Sequence, residues 1–306
     1  MILLRDFLRL VRVVNLLYIV MTMYFVRHFL IAPFSENQQL GEFDFFLLVI
    51  STLLITASGY IINDYFDVKI DVVNRGGDIV IDKSISRRTA MLLHQLFNIS
   101  ATLLGFYVAW QADQVWLGLI QIFSITILWF YSTTFKRQAV IGNLVVSFLS
   151  ALVVLVVFLF EINSNELGNE IRNMIFLYAV FAFIITWVRE IVKDMEDIDG
   201  DRTENCRTMP IAFGIKAAKL SAVIISIFVM ILIAVVILKH PAYSGIHNNQ
   251  FVLSYIFLAV ILPWMISCYM ITRADSPKQF HQVSNLIKYI MLSGILSMPL
   301  FYMLNN

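Results

Sequence analysis

Charge is what this chain lacks. Only 14% of its 306 residues are Asp, Glu, Lys or Arg, where an ordinary soluble domain carries about 25%. That shortage excludes a disordered chain, a nucleic-acid binder built on a basic surface and an ordinary soluble enzyme. Cysteine is nearly absent. Cys206 and Cys268 lie far apart with no metal-ligand spacing, so neither a disulfide framework nor a zinc site is implied. Six prolines in the whole chain leave long stretches where helices need not break. What is present is apolar: 59% hydrophobic and 14% aromatic residues, with a mean hydropathy of +0.80. This is the composition of a polytopic membrane protein.

A helix needs about 20 apolar residues to cross a bilayer, and by that measure about nine spans are present. They cover 13–34, 43–63, 91–110, 115–134, 140–160, 171–192, 216–238, 251–272 and 285–303. Strands are excluded, because an open sheet in lipid leaves backbone groups unpaired and the runs are too continuous for a barrel. The expected fold class is therefore all-α. The first run follows Arg5, Arg9 and Arg12, with no small-residue cleavage site after it. It reads as a span with a basic lead-in, not as a secretory signal.

An odd number of spans puts the chain ends on opposite sides, and the positive-inside rule chooses the orientation. With the N-terminus cytoplasmic, all but Arg27, Arg172 and Lys239 of the 22 Lys and Arg fall inside. The two long polar stretches, 64–90 and 193–215, then share the cytoplasmic face. Four spans separate them, which suggests a duplicated four-helix unit plus one extra helix.

Each polar stretch opens with regularly spaced acids. Asp64, Asp67 and Asp71 stand at i, i+3 and i+7, with Asn63 four residues before Asp67; Asp194, Asp197 and Asp201 repeat the spacing. On a helix each set shares one face. Two solvated acidic loops would satisfy the same pattern. A charge at the mouth of a span is costly without a partner, however, and two copies at matching positions argue against accident. Facing each other across a cavity, the triads would hold divalent cations. All the ligands are hard oxygens, which points to Mg²⁺. Mg²⁺ so held keeps room for phosphate oxygens, so a diphosphate at the membrane surface is the implied ligand.

Basic residues follow both triads: Arg75, Lys83, Arg87 and Arg88 after the first, Arg202 and Arg207 after the second. For most of them topology or anionic lipid headgroups is sufficient explanation. Lys136, with Arg137 at the inner end of span four and five residues past Tyr131, is the best candidate for a phosphate contact. Arg12, followed by Asn15, is a second. A transporter is the competing class, but the acids cluster at one face and none sits mid-span.

The segments NDYFDVKID and KDMEDIDGD resemble the two motifs of the UbiA superfamily of intramembrane prenyltransferases. Asn63, Asp64, Asp67 and Asp71 match every fixed position of NDxxDxxxD. Asp197 and Asp201 match DxxxD, with Asp194 as the further upstream acid, and the likeness runs on through Thr208–Pro210 and Gly214. Within the superfamily, NDYFDVKID followed by ISRRTAMLLH, and REIVKDMEDIDGD followed by CRTMP, look most like geranylgeranylglycerol-phosphate geranylgeranyltransferases of ether-lipid synthesis.

The resemblance covers essentially the whole chain. It implies a single domain over 1–306: a bundle of nine helices around a central, lipid-open cavity capped by the two cytoplasmic loops, in a bacterial or archaeal cytoplasmic membrane. Two Mg²⁺ are expected, one on Asn63, Asp64, Asp67 and Asp71 and one on Asp194, Asp197 and Asp201. Lys136 would assist departure of the diphosphate. Arg12, Asn15, Arg75, Tyr131, Arg87 and Arg202 are the remaining expected substrate contacts. Tyr60, Phe66, Phe130 and Tyr131 could face the allylic cation. The acceptor is expected to be a glycerol-phosphate lipid, which brings a second anion for Arg87, Arg88, Arg137 or Arg202. An aromatic quinone precursor is the alternative acceptor.

Overall fold

The computed structural model describes residues 2–34, 38–75, 79–161, 168–239 and 249–305. Among them there is no strand, only an isolated bridge between Ile81 and Ile85. Helix α1 (Ile2–Leu10) leads into α2 (Val13–Phe25), which continues through a π-turn at Val26–Ile31 and a short 3₁₀ turn at Ala32–Phe34. Then come α3 (Glu42–Arg75), α4 (Arg87–Gln111), α5 (Leu119–Thr133), α6 (Ile141–Glu161) and α7 (Asn169–Glu196). Two short helices, α8 (Ile198–Thr203) and α9 (Met209–Phe213), precede α10 (Ile215–Lys239). The chain closes with α11 (Gln250–Tyr255), a π-turn at Ile256–Ile261, α12 (Leu262–Arg273) and α13 (Pro277–Asn305). Among the described residues, nine segments are long and apolar enough to cross a membrane, in agreement with the expected all-α bundle.

The differences lie at the ends, where hydropathy and backbone geometry part company. Hydropathy marks lipid contact, whereas a helix continues as long as its N–H groups find carbonyls. Thus α3 runs on to Arg75, well past residue 63, and carries the first acidic segment in helical register, whereas α7 ends at Glu196, so that of the second segment only Asp194 lies on it. Helix α4 starts at Arg87, four residues early, because Ser86 caps it by accepting a hydrogen bond from Thr89 N–H at 3.1 Å. Helix α13 starts at Pro277, whose fixed φ and missing donor suit the first helical position. Pro263 at the start of α12 lacks an N–H, and the π-turn falls directly before it.

Three buried clusters hold the helices. One, including Met23, Phe45, Val157, Phe160 and Ile175, packs α2, α3, α6 and α7 at the end away from the acidic segments. Another packs α7 against α10, α12 and α13 through Val188, Ile191, Trp264, Phe280 and Ile287. The third joins α1 to α3 and the 80–85 loop through Leu10, Ile61 and Ile81. Arg27, a basic residue expected on the outer side, is fully buried in the π-turn of the first span. Its guanidinium meets Glu161 at 2.8 Å and Glu42 at 3.1 Å, so the buried cation is paired.

Candidate active site

Helices α2, α3, α5, α6, α7 and α13 surround a cavity of about 330 Å³. Along α7 its lining runs from Asp194 to Tyr178, about 24 Å of helix at roughly 1.5 Å per residue. One end is crowded with charge. Deeper in, the wall is chiefly apolar, with Ile55, Leu128, Val146, Leu149, Phe181 and Ile295.

The helical continuation of α3 aims Asn63, Asp67 and Asp71 into the charged end. Asn63 Nδ2 donates to Asp67 at 2.7 Å, and Lys136 Nζ forms an ion pair with the same carboxylate. Burial disfavours the Lys136 ammonium, but Asp67 outweighs it and holds the pKa above the ordinary lysine value. Asp64 turns aside to Arg12 at 2.8 Å. The Arg12 guanidinium also lies 4.6 Å over the Tyr60 ring. Arg12 has left-handed backbone angles, φ 51° and ψ 55°, a conformation costing a non-glycine residue about 1–2 kcal/mol. It bends the chain between α1 and α2 so that the side chain reaches the cavity.

Lys136 sits on a tight loop between α5 and α6. Val140 has φ 75°, and Ile141 N–H donates to Ala139 C=O at 2.9 Å across it: a γ-turn, rare with a β-branched residue at its centre. The start of α6 packs onto this loop so closely that a Cβ at Gly142 would lie 2.9 Å from Phe135 O. The first turn of α6 also supplies Asn143, which donates to Asp194 at 2.8 Å.

The second acidic segment spans the break between α7 and α8. Asp194, Asp197 and Asp201 all line the cavity. Burial pushes the pKa of Asp201, 3% exposed, up to about 6, against the opposing pull of Lys136. Asn74, near the end of α3, ties the two segments together. It donates to Asp197 C=O at 3.3 Å and accepts from Gly200 N–H at 2.8 Å. A Cβ at Gly200 would approach Asn74 to 2.5 Å, so glycine is what permits the contact.

Most predicted site residues therefore converge. Arg12, Asn15, Asn63, Asp67, Asp71, Tyr131, Lys136, Asp194, Asp197 and Asp201 all line the cavity; Asn15 donates to Tyr60 Oη at 3.1 Å. Asp64 stands behind Arg12 and is not among the lining residues. Arg87 and Arg202, also expected as substrate contacts, are exposed and outside the lining. Arg87 is drawn away by Asp82 at 2.8 Å and the Tyr65 ring at 5.5 Å. The Arg75 side chain lies outside the described residues. Of the aromatics, Tyr60 and Tyr131 face the cavity, while Phe66 and Phe130 are 38% and 47% exposed and lie outside its lining. Sequence reasoning missed Asn74, Asn143, Arg189, Glu190, Lys193 and Lys288. Only Arg189 and Lys193, four apart in the REIVKD run, carried a visible signal, since that spacing puts them on one helix face.

Among the described residues no three carboxylate, His or Cys groups form a ready-made cation cage. Lys136 and Arg12 instead stand against the carboxylates. The donor set nonetheless fits Mg²⁺. It is all oxygen, and Asn63 Oδ1 is buried with no hydrogen-bond partner among the described residues. Phosphate oxygens from a substrate would complete an incomplete shell.

Comparison with known proteins agrees with this geometry. The model of the UbiA prenyltransferase family matches residues 19–288. The digeranylgeranylglyceryl phosphate synthase of Methanothermobacter thermautotrophicus is 32% identical over 252 residues, covering 81% of this chain and 82% of the relative. Among solved structures, the apo form of a UbiA homolog from Aeropyrum pernix K1 superposes with a TM-score of 0.66 at 16% identity, covering 92% and 98% of the two chains. A UbiA homolog from Archaeoglobus fulgidus bound to GPP and Mg²⁺ gives 0.59 at 17% identity, covering 96% and 99%. The acid-mouthed cavity thus sits in a chain whose kinship extends over most of its length: it belongs to the UbiA prenyltransferase family.

Proposed function

We propose that this protein transfers a geranylgeranyl group from its diphosphate to the hydroxyl of a geranylgeranylglycerol-phosphate lipid, with two Mg²⁺ held at the acidic mouth. The observation that carries the reading is the convergence of both Asp-rich segments and Lys136 on the polar end of one deep apolar cavity. The name of the Methanothermobacter relative favours the lipid acceptor. The GPP- and Mg²⁺-bound Archaeoglobus structure favours the donor class and the metal.

Asn63, Asp67 and Asp71 would hold one ion and Asp194, Asp197 and Asp201 the other, with Asp64 serving to orient Arg12. Bound there, Mg²⁺ supplies Lewis-acid withdrawal of charge from the diphosphate, which makes it a leaving group. Lys136, paired with Asp67 at the mouth, would meet the negative charge that develops on the diphosphate. The apolar depth of the cavity takes the prenyl tail and keeps water from the allylic cation. Tyr60 and Tyr131 present ring faces, each worth up to about 2 kcal/mol to a desolvated cation. As the C1–O bond to diphosphate breaks, the acceptor oxygen forms the new C1–O ether bond, and its proton leaves with the diphosphate. The distribution of Lys and Arg favours a cytoplasmic mouth and N-terminus.

Purified protein in lipid nanodiscs, given labelled geranylgeranyl diphosphate and Mg²⁺ with either geranylgeranylglycerol phosphate or an aromatic acid, tests the reading by product mass. A di-geranylgeranyl ether is expected. Product from the aromatic acceptor alone overturns the lipid assignment. Uptake of substrate into proteoliposomes with no covalent product overturns the transferase reading altogether.

A further inference from the structure

Beside the Asp-rich segments, the charged end of the cavity has a predominantly basic edge. The cavity-facing residues of α7 divide around its axis. At about 100° per residue, Arg189 and Lys193 lie about 40° apart on one edge, while Glu190 and Asp194 lie on the other. The acidic edge meets α6, where Asn143 binds Asp194. The basic edge meets α13, which brings Lys288 into the same cavity wall, and α2, whose Tyr18 donates to Lys288 C=O at 3.4 Å. Three cations thus crowd one wall, with Arg12, held by Asp64, close to Lys193 and Lys288. Glu190 is set among them, 3.0 Å from Arg189 Nη1, and Asp197 and Asp194 also lie near Lys193; Glu196, the acid near Lys288, already has His281 at 2.8 Å. Arg189 Nε is buried with no hydrogen-bond partner among the described residues. Like charges gathered in a half-buried wall, with a donor left unsatisfied, are costly until an anion arrives.

We infer that Arg189, Lys193 and Lys288 form a second anion subsite, which takes the phosphate monoester of the lipid acceptor. The inference rests on the proposed transferase reading and deepens it. The donor diphosphate is served by the Asp-rich segments and Lys136 on the opposite side, so the basic edge is left for the other anionic substrate. A glycerol phosphate anchored there keeps its free hydroxyl within a few bonds of the anchor, facing the mouth where the allylic cation forms. This replaces the expectation that Arg87 and Arg202 serve the acceptor.

The test compares wild type with Arg189→Gln, Lys288→Gln and Lys288→Arg in nanodiscs, using geranylgeranylglycerol phosphate and its dephosphorylated alcohol as acceptors. Both Gln variants should raise the KM for the phosphorylated acceptor by about tenfold or more. They should leave the KM for geranylgeranyl diphosphate within about twofold and erase the preference for the phosphorylated acceptor. Lys288→Arg should restore much of that preference. An unchanged donor KM also reports that the variants fold. If wild type prenylates the phosphorylated lipid and the Gln variants keep its KM, or raise only the donor KM, the subsite is wrong while the function stands. If wild type does not prenylate it at all, both fall together.

Discussion

The bundle carries a buried cluster of charge at each end, and the two are built differently. At the end away from the Asp-rich segments, Arg27 is enclosed by partners of its own chain, although its Nε and Nη1 and Glu161 Oε1 meet as ion pairs without hydrogen-bond geometry. It contacts Glu161 and Glu42, donates to Gln38 Oε1 at 2.9 Å and Leu40 C=O at 2.6 Å, and covers the Phe45 ring at 4.3 Å. At the mouth, carboxylates share cations, Asn63 Oδ1 and Arg189 Nε lack hydrogen-bond partners among the described residues, and three basic residues face one wall. The far cluster is closed on itself by ion pairs, whereas the mouth opens into a cavity that can admit ligands, so stability and catalysis should separate along the length of the molecule.

Asp67→Asn tests that separation where the effect is largest. The substitution keeps the shape but removes a metal-facing charge and the partner of Lys136. Turnover should fall at least about 100-fold, while the thermal midpoint in detergent falls less than in Arg27→Ala, because Asp201 remains to compensate Lys136. A variant that unfolds, or that turns over normally with Mg²⁺, would erase the distinction between the two ends.

Arg27→Ala is the converse. Removing one partner strands buried Glu161, a loss of about 3–5 kcal/mol, seen as a lower unfolding midpoint. Activity per folded molecule should hold. The double variant Arg27→Met with Glu161→Leu should recover most of the stability, since an apolar pair of similar volume avoids the stranded charge. Loss of kcat in that stable double variant would mean the far cluster also shapes the site.

What could be read from the sequence follows the same division. The spans were visible because lipid imposes apolar length on each one independently. The first acidic triad was legible because α3 is unbroken and helix periodicity places i, i+3 and i+7 on one face; the second has the same spacing but the helix breaks at Asp197, so its members meet the cavity through the α7–α8 turn. The placement of Arg87 and Arg202 outside the lining was not legible, because a loop charge carries no direction. Asp82 captures Arg87, and nothing in the spacing weighs that pair against a pocket. Asn143 and Lys288 stayed hidden for a related reason: each matters only through a neighbour on another helix, Asp194 for the first and Arg189 for the second. Arg27 appeared as an exception to charge topology and became intelligible only once Glu161 stood beside it.

Gly142→Ala probes the mouth more gently. The added Cβ would stand 2.9 Å from Phe135 O and 3.1 Å from the Lys136 Cα. Backbone must shift, and Lys136 moves with it. A displacement near 1 Å can cost up to about 100-fold; a loss in kcat of about tenfold is expected, with little change in the unfolding midpoint. An unaltered kcat would show that the Lys136 position is loosely set.

The smallest expected effect falls on the staple between the two acidic segments. Asn74 makes two hydrogen bonds to the α8 turn, through Asp197 C=O and Gly200 N–H, each worth about 1 kcal/mol net. Asn74→Ala should therefore raise the Mg²⁺ concentration for half-maximal activity several-fold by loosening Asp197 and Asp201 relative to Asp67. Gly200→Ala should do the same by a different route, since its Cβ would push Asn74 aside from 2.5 Å. Because both changes break one contact, their effects should not add: the double variant should be no worse than the poorer single one. Additive effects in the Mg²⁺ titration would mean that Asn74 and Gly200 act separately, and that something else sets the spacing of the two segments.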